Sequence, residues 1–153
     1  MITIRQANTS EVSDLQSLNN EVFINNAKYD DDLDLNWAQS KKGQKYFTEL
    51  LNDQNSLCII AEDVDRKVGY LAAGPKGIDY RNSKYLEIQN MGVIPEYRSK
   101  GVGKMLMDKS FEWARSKGYQ KAFVNAYIKN EGAVNFYKKN GFGEIDISLE
   151  KKI

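Results

Sequence analysis

The stretch that most constrains the fold runs from Tyr85 to Gly118, where a strand pattern hands over to a helix through a basic, glycine-containing turn. Tyr85 to Ile94 reads as a strand that stops at Pro95, a residue with no ladder hydrogen bond to donate. Beyond Arg98 the apolar period becomes helical: Val102, Leu106 and Trp113 share a face, Met105 and Ala114 flank it, and Gly118 is a C-terminal stop. Between them stands Arg98-Ser99-Lys100-Gly101-Val102-Gly103-Lys104. Its glycines let a backbone approach a ligand without Cβ obstruction. A helix start also leaves amide N–H groups unpaired, and with the positive end of the dipole and the cations Arg98, Lys100 and Lys104 these form an anion site.

Two familiar phosphate motifs do not fit this turn. G-x-x-x-x-G-K-[ST] requires glycine where Arg98 stands and a hydroxyl residue where Met105 stands. The dinucleotide pattern G-x-G-x-x-G requires glycine at Leu106, and the segment opens no N-terminal βαβ unit.

The remaining pattern extends this unit into one domain over residues 1–153, a length that suits a single core. Ile2, Ile4 and Ala7 alternate as a first strand, Ser10 caps a helix carrying Val12, Leu15, Leu18, Val22 and Phe23, and Asn25 to Asp34 is a loop before a second helix over 37–51. Leu57 to Glu62 and Lys67 to Ala73 form a hairpin, closed by a break at Gly74-Pro75-Lys76-Gly77. After the central unit come a strand over Ala122 to Ala126, a short helix over Glu131 to Lys139, and a last strand over Phe142 to Leu149. The order β-α-α-β-β-β-α-β-α-β implies an α/β domain of three layers, a mixed, mostly antiparallel sheet with helices on both faces.

Composition removes several functions. The 22 basic and 21 acidic side chains leave a net charge of +1, so no global field favours nucleic acid or an anionic membrane. A basic nucleic-acid module centred on Arg98 to Lys109 is opposed by Glu96 and Asp108 beside it. No apolar run approaches bilayer length and the N-terminus lacks a signal-peptide pattern, which reads as a soluble cytoplasmic protein. The absence of histidine excludes Ser-His-Asp and Cys-His catalysis and His-based zinc within one chain, and a single cysteine, Cys58 in an apolar run, reads as a buried strand residue. Gly92 in an otherwise regular strand suggests a bulge or a close backbone approach. Glu87 alternates with Gln89, Met91 and Val93 along one strand face and is a candidate base.

Arg98, Gly101 and Gly103 fit the form Q/R-x-x-G-x-G/A, preceded by Val93-Ile94-Pro95-Glu96-Tyr97. Downstream, Asn130-Glu131-Gly132-Ala133-Val134-Asn135-Phe136-Tyr137-Lys138-Lys139-Asn140-Gly141-Phe142 fits N-x-x-A-x-x-[LF]-Y-x-x-x-G-F. The chain thereby resembles the GNAT superfamily of acyl-CoA N-acyltransferases over residues 85–142. The resemblance implies acetyl-CoA as cosubstrate, its pyrophosphate on the amides of Ser99, Lys100, Gly101, Val102, Gly103 and Lys104, and Asn130 near the pantetheine arm. It further implies a splayed fourth strand whose freed amides near Met91 and Val93 hold the pantetheine and polarise the thioester carbonyl.

The expected reaction is direct transfer of acetyl to a primary amine in a ternary complex, with no metal. An amine attacks only when neutral; the resemblance implies Glu87 or water as the base and Tyr137 as the acid at the leaving thiolate. The acceptor is a small molecule, a polyamine or a protein amine. Asp30-Asp31-Asp32-Leu33-Asp34 borders its site by the same resemblance, with Tyr29, Trp37 and Tyr80 as further candidates for its lining. The other reading is a non-catalytic acyl-CoA sensor of the same fold, which would have no use for a positioned acid and base. Association into a homodimer is allowed for.

Overall fold

Leu57 to Ala61 and Val68 to Gly74 are buried without interruption, which requires a sheet covered on both faces. The computed structural model, describing residues 1–153, builds that sheet from β1 (Ile2–Gln6), β2 (Leu57–Asp63), β3 (Arg66–Lys76), β4 (Tyr85–Val93) and β5 (Lys121–Val124) in the order β1-β2-β3-β4-β5. Neighbours are antiparallel except β4 and β5, which are parallel because α3 (Val102–Ser116) carries the chain between them.

Alternate residues of the strands feed two cores. On one face α1 (Val12–Asn26) and α2 (Lys41–Asn52) place Leu15, Leu18, Phe47 and Leu50 over Cys58, Ile60, Tyr70 and Ala72. On the other, α3 places Val102, Leu106, Met107 and Ala114 over Ile59, Leu71, Leu86 and Ile88. Phe136 and Tyr137 of α4 (Glu131–Lys139) pack against this second core. The buried stripe of α3 runs through Leu106, Met107 and Ser110; Trp113 is half-buried and Met105 is exposed, so the expected face is rotated toward Met107.

Several expectations are corrected. The cap at the first helix is Asn8, whose Oδ1 accepts from Ser10 N at 3.1 Å while Glu11 accepts from Asn8 N at 2.8 Å, a reciprocal box that starts a 3-10 turn over Thr9–Glu11 before α1. The second helix begins at Lys41, capped by Ser40, because the backbone carbonyls of Trp37 and Ala38 fold back against Gly43. Gly74-Pro75-Lys76 does not break β3. Pro75 pairs with Leu86 where β2 has already ended at Leu57, so β3 has a free edge there and tolerates a missing donor. The last expected strand, Phe142 to Leu149, does not form: residues 143–153 belong to no element and make no backbone–backbone hydrogen bond. No helix is long and apolar enough to cross a membrane.

Candidate active site

β4 ends in a 3-10 turn, Pro95–Tyr97, and the chain then reverses through two left-handed residues, Ser99 at φ 60° and Gly101 at φ 82°. Gly101 is the N-cap of α3 and brings no side-chain oxygen to it. The first backbone bond of the helix runs from Met105 N to Gly101 O at 3.1 Å, and no amide from Ser99 to Lys104 donates to a protein atom. Serine in the left-handed region costs roughly 1–2 kcal/mol. Here it belongs to a turn whose unengaged donors lie at the positive end of a fifteen-residue helix. Around them Arg98 Nε donates to Val93 O at 2.8 Å, Lys100 lies 5.4 Å from the Tyr97 ring centroid, and Lys104 pairs with Asp108 at 2.6 Å.

Beside this turn the sheet opens. β5 accompanies β4 only from Tyr85↔Lys121 to Ile88↔Val124, leaving Gln89 to Val93 without a neighbour on that edge. At about 3.3 Å per residue the unpaired edge is roughly 16 Å long. Ile94 N donates to Val68 O of β3 at 2.9 Å. Because successive N–H groups point to opposite edges, those of Val93 and Met91 point into the opening.

The strand carries a bulge, though not at Gly92. Register with β3 jumps from Ala73↔Ile88 to Ala72↔Asn90, so Gln89 is the extra residue. Gly92 pairs regularly with Tyr70; an added Cβ would meet Val22 Cγ2 at 2.5 Å, so the glycine admits α1. The bulge also separates residues expected on one face. Met91 and Val93, opposite Leu71 and Gly69, face α3, whereas Glu87, opposite Gly74, faces α1 and α2. Glu87 is ion-paired to Lys76 Nζ at 3.2 Å with about a quarter of its side chain exposed, 27%.

Tyr137 is half-buried between Phe136 and Phe142, at ring centroids of 5.5 and 5.7 Å, and its hydroxyl has no protein partner. Burial pushes its pKa up to about 12. Phe136 lies under Gly103, where an added Cβ would meet its ring at 3.2 Å and Met91 Cε at 3.9 Å. Gly103 thus brings α3, α4 and the free edge of β4 together. Asn130 is the N-cap of α4, its Oδ1 accepting from Ala133 N at 3.1 Å, so its carbonyl end has a structural task and only its amide nitrogen is left for a ligand.

On the α1–α2 face, polar groups that sequence patterns do not single out collect at the bulge. Tyr46 donates to Gln89 Oε1 and accepts from Asn90 Nδ2 at 3.0 Å; burial pushes this phenol up to about 12. Trp37 joins them, edge-on to Tyr46 at 5.7 Å and stacked on Phe23 at 5.7 Å. The acidic loop reaches the segment after β5. Tyr127 donates to Asp30 Oδ2 at 2.6 Å and stacks on Tyr29 at 6.1 Å. That bond holds the Asp30 carboxyl below the usual range, and burial, reinforced by Asp30, pushes Tyr127 up to about 12. Asp30 and Asp34 also accept from Asp32 N and Asn36 N, so part of the acidic run shapes its own loop. Tyr80 is 91% exposed and lines nothing, and Cys58 is buried with its thiol pushed up to about 12 by desolvation.

The fold has counterparts elsewhere. The fold superposes on the tetramutant of a Bacillus halodurans protein with a TM-score of 0.87, at 16% identity over 99% of both chains. It superposes on an aminoglycoside N-acetyltransferase in complex with CoA with a TM-score of 0.79, at 18% identity over 100% of this chain and 95% of that one. In sequence it is 25% identical over 95% of its length to an uncharacterized N-acetyltransferase of Methanocaldococcus jannaschii, of which it spans 62%. Residues 15–142, which include most of α1, all of α2, the anion turn and α4, match the Acetyltransferase (GNAT) family model, and the chain belongs to that family.

Proposed function

We propose that the chain transfers the acetyl group of acetyl-CoA to a primary amine by direct attack in a ternary complex. The observation that carries this reading is the row of unengaged amides from Ser99 to Lys104 beside the unpaired edge of β4. A diphosphate accepting from that row would leave the pantetheine arm to run along the edge, where the Met91 and Val93 N–H groups would be its hydrogen-bond donors, with Asn130 Nδ2, free of the cap bond, as a further one. Arg98, held on Val93 O, adds charge at the junction.

The acceptor enters from the α1–α2 face, where Glu87, Gln89, Asn90 and Tyr46 supply polar groups. Glu87, or a water held by it, takes the proton that makes the amine neutral. Attack forms the C–N bond, and an outward N–H of Met91 or Val93 stabilises the oxyanion. As the C–S bond breaks, Tyr137 donates to the sulfur. Tyr137 gives its phenolic proton to the departing sulfur and recovers one from the nitrogen as the amide forms, so that CoA leaves as the thiol.

Release of CoA from acetyl-CoA across a panel of amines tests the reaction. Tyr137→Phe should lower turnover by about 100-fold or more while leaving acetyl-CoA affinity unchanged; equal turnover in the two proteins removes Tyr137 from the mechanism. Thermal stabilisation by CoA with no turnover on any amine would make the chain a non-catalytic binder instead.

A further inference from the structure

Lys76 brings a primary amine of the chain itself to the floor of the β4–β5 opening. It is the last residue of β3 and pairs with Tyr85, two residues before Glu87, so Lys76 and Glu87 are diagonal neighbours on one face of the sheet. From there its side chain crosses β4. Nζ lies 3.2 Å from Glu87 Oε2 and 4.5 Å from the centroid of the Phe123 ring on β5. Glu87 and Phe123 are themselves paired, and the next rung, Ile88↔Val124, is the last before the two strands part. The ammonium thus stands at the closed end of the opening, one residue or roughly 3.3 Å of strand below that last rung.

A lysine beside a carboxylate at a surface is ordinarily an ion pair worth about 0–1 kcal/mol. This one differs in what flanks it. The carboxylate is the group proposed above to take the acceptor's proton, the Phe123 face completes a cation site, and only 30% of the lysine side chain is exposed. An amine from solution has to reach the same carboxylate. Lys76 is already there, and a tethered amine needs no capture.

We infer that Lys76 is an acetyl acceptor of its own chain, modified in cis by acetyl-CoA bound along the free edge of β4. The inference rests on the transfer chemistry proposed above. Lys76 Nζ gives one proton to Glu87 or a water held by it, and its lone pair then forms the C–N bond to the acetyl carbon. The C–S bond breaks with its electron pair on sulfur, Tyr137 protonates that sulfur, and the tyrosine recovers a proton from the new amide nitrogen. An ammonium and a thioester become an amide, a thiol and one released proton. The amide carries no charge, so the ion pair is lost and Glu87 is left to the next amine.

Mass spectrometry of the full chain, incubated with acetyl-CoA and no amine, tests this. One acetyl per chain should appear on Lys76, at a first-order rate that does not change with protein concentration. Uncatalysed acetylation would mark Lys45 first, since its side chain is 77% exposed. Tyr137→Phe should slow modification of Lys76 by about 10-fold or more, and Lys76→Arg, which keeps a cation beside Glu87, should carry no acetyl. Acetyl on Lys45 before Lys76, a rate that rises with protein concentration, or an equal rate in the Tyr137→Phe variant overturns the inference. CoA release with the amine panel separates its failure from that of the transfer reaction. Turnover on an amine with Lys76 unmodified overturns the modification and leaves the reaction standing; Lys76 unmodified with no turnover on any amine overturns both.

Discussion

At Gly92 a single hydrogen decides how closely α1 lies on the sheet. Gly92→Ala would drive a methyl into Val22, whose β-branched side chain on a helix has little rotamer freedom to yield. The expected loss is about 1–3 kcal/mol by urea denaturation, and Val22→Ala in the same protein should recover most of it. Glu11 is a second decisive residue. It is 6% exposed, bonded to Arg5 at 2.7 and 3.1 Å and to Asn8 N, and the Arg5 bonds above all lower its pKa. A carboxylate with a depressed folded pKa contributes stability that is present above its unfolded value of about 4.3 and is lost as pH falls through the folded one. Glu11→Gln should therefore cost about 1.5–3 kcal/mol at neutral pH. It should also flatten the decline of stability below about pH 4.3; a variant with the parent's full acid limb would show that other carboxylates carry it.

Among elements, the strands and helices with an unbroken period are legible in the sequence: β4 from Tyr85, α3 from Val102 and α4 over Glu131–Lys139 lie where the apolar spacing puts them. The bulge was not. Alternation of Glu87, Gln89, Met91 and Val93 looks regular in one dimension, and only the partner register reveals that Gln89 is an extra residue. That inserted residue turns Glu87 toward α1 and α2 while Met91 keeps its place under α3, so the two lie on opposite faces of the strand. Pro75 misled for the same reason, since whether a strand tolerates proline depends on where its neighbour ends. The segment after Phe142 has a clear strand pattern and no strand, because a pattern specifies a face and cannot supply the edge it must pair with.

Over the whole molecule, the opening between β4 and β5 connects two chemically distinct faces. The α3 face has bare amides and cations; the α1–α2 face has Glu87, Tyr46, Gln89 and Asn90, with the Asp30–Tyr127 bond joining loops 97 residues apart beside it. The motifs from Arg98 to Gly103 and from Asn130 to Phe142 made the first face legible, since its donors are consecutive in the chain. The second is assembled from α2, β4 and the loop after β5, and side chains that meet only through tertiary packing leave no local spacing to read. The proposed reaction requires the amides of residues 99–104 to take a diphosphate. Amide chemical shifts of the ¹⁵N-labelled chain, titrated in parallel with CoA and with pantetheine, which has no diphosphate, test this directly. CoA should move the amides of Ser99 to Lys104 together with those of Met91 and Val93, and pantetheine should move only the last two; saturation by CoA with residues 99–104 unmoved would contradict it.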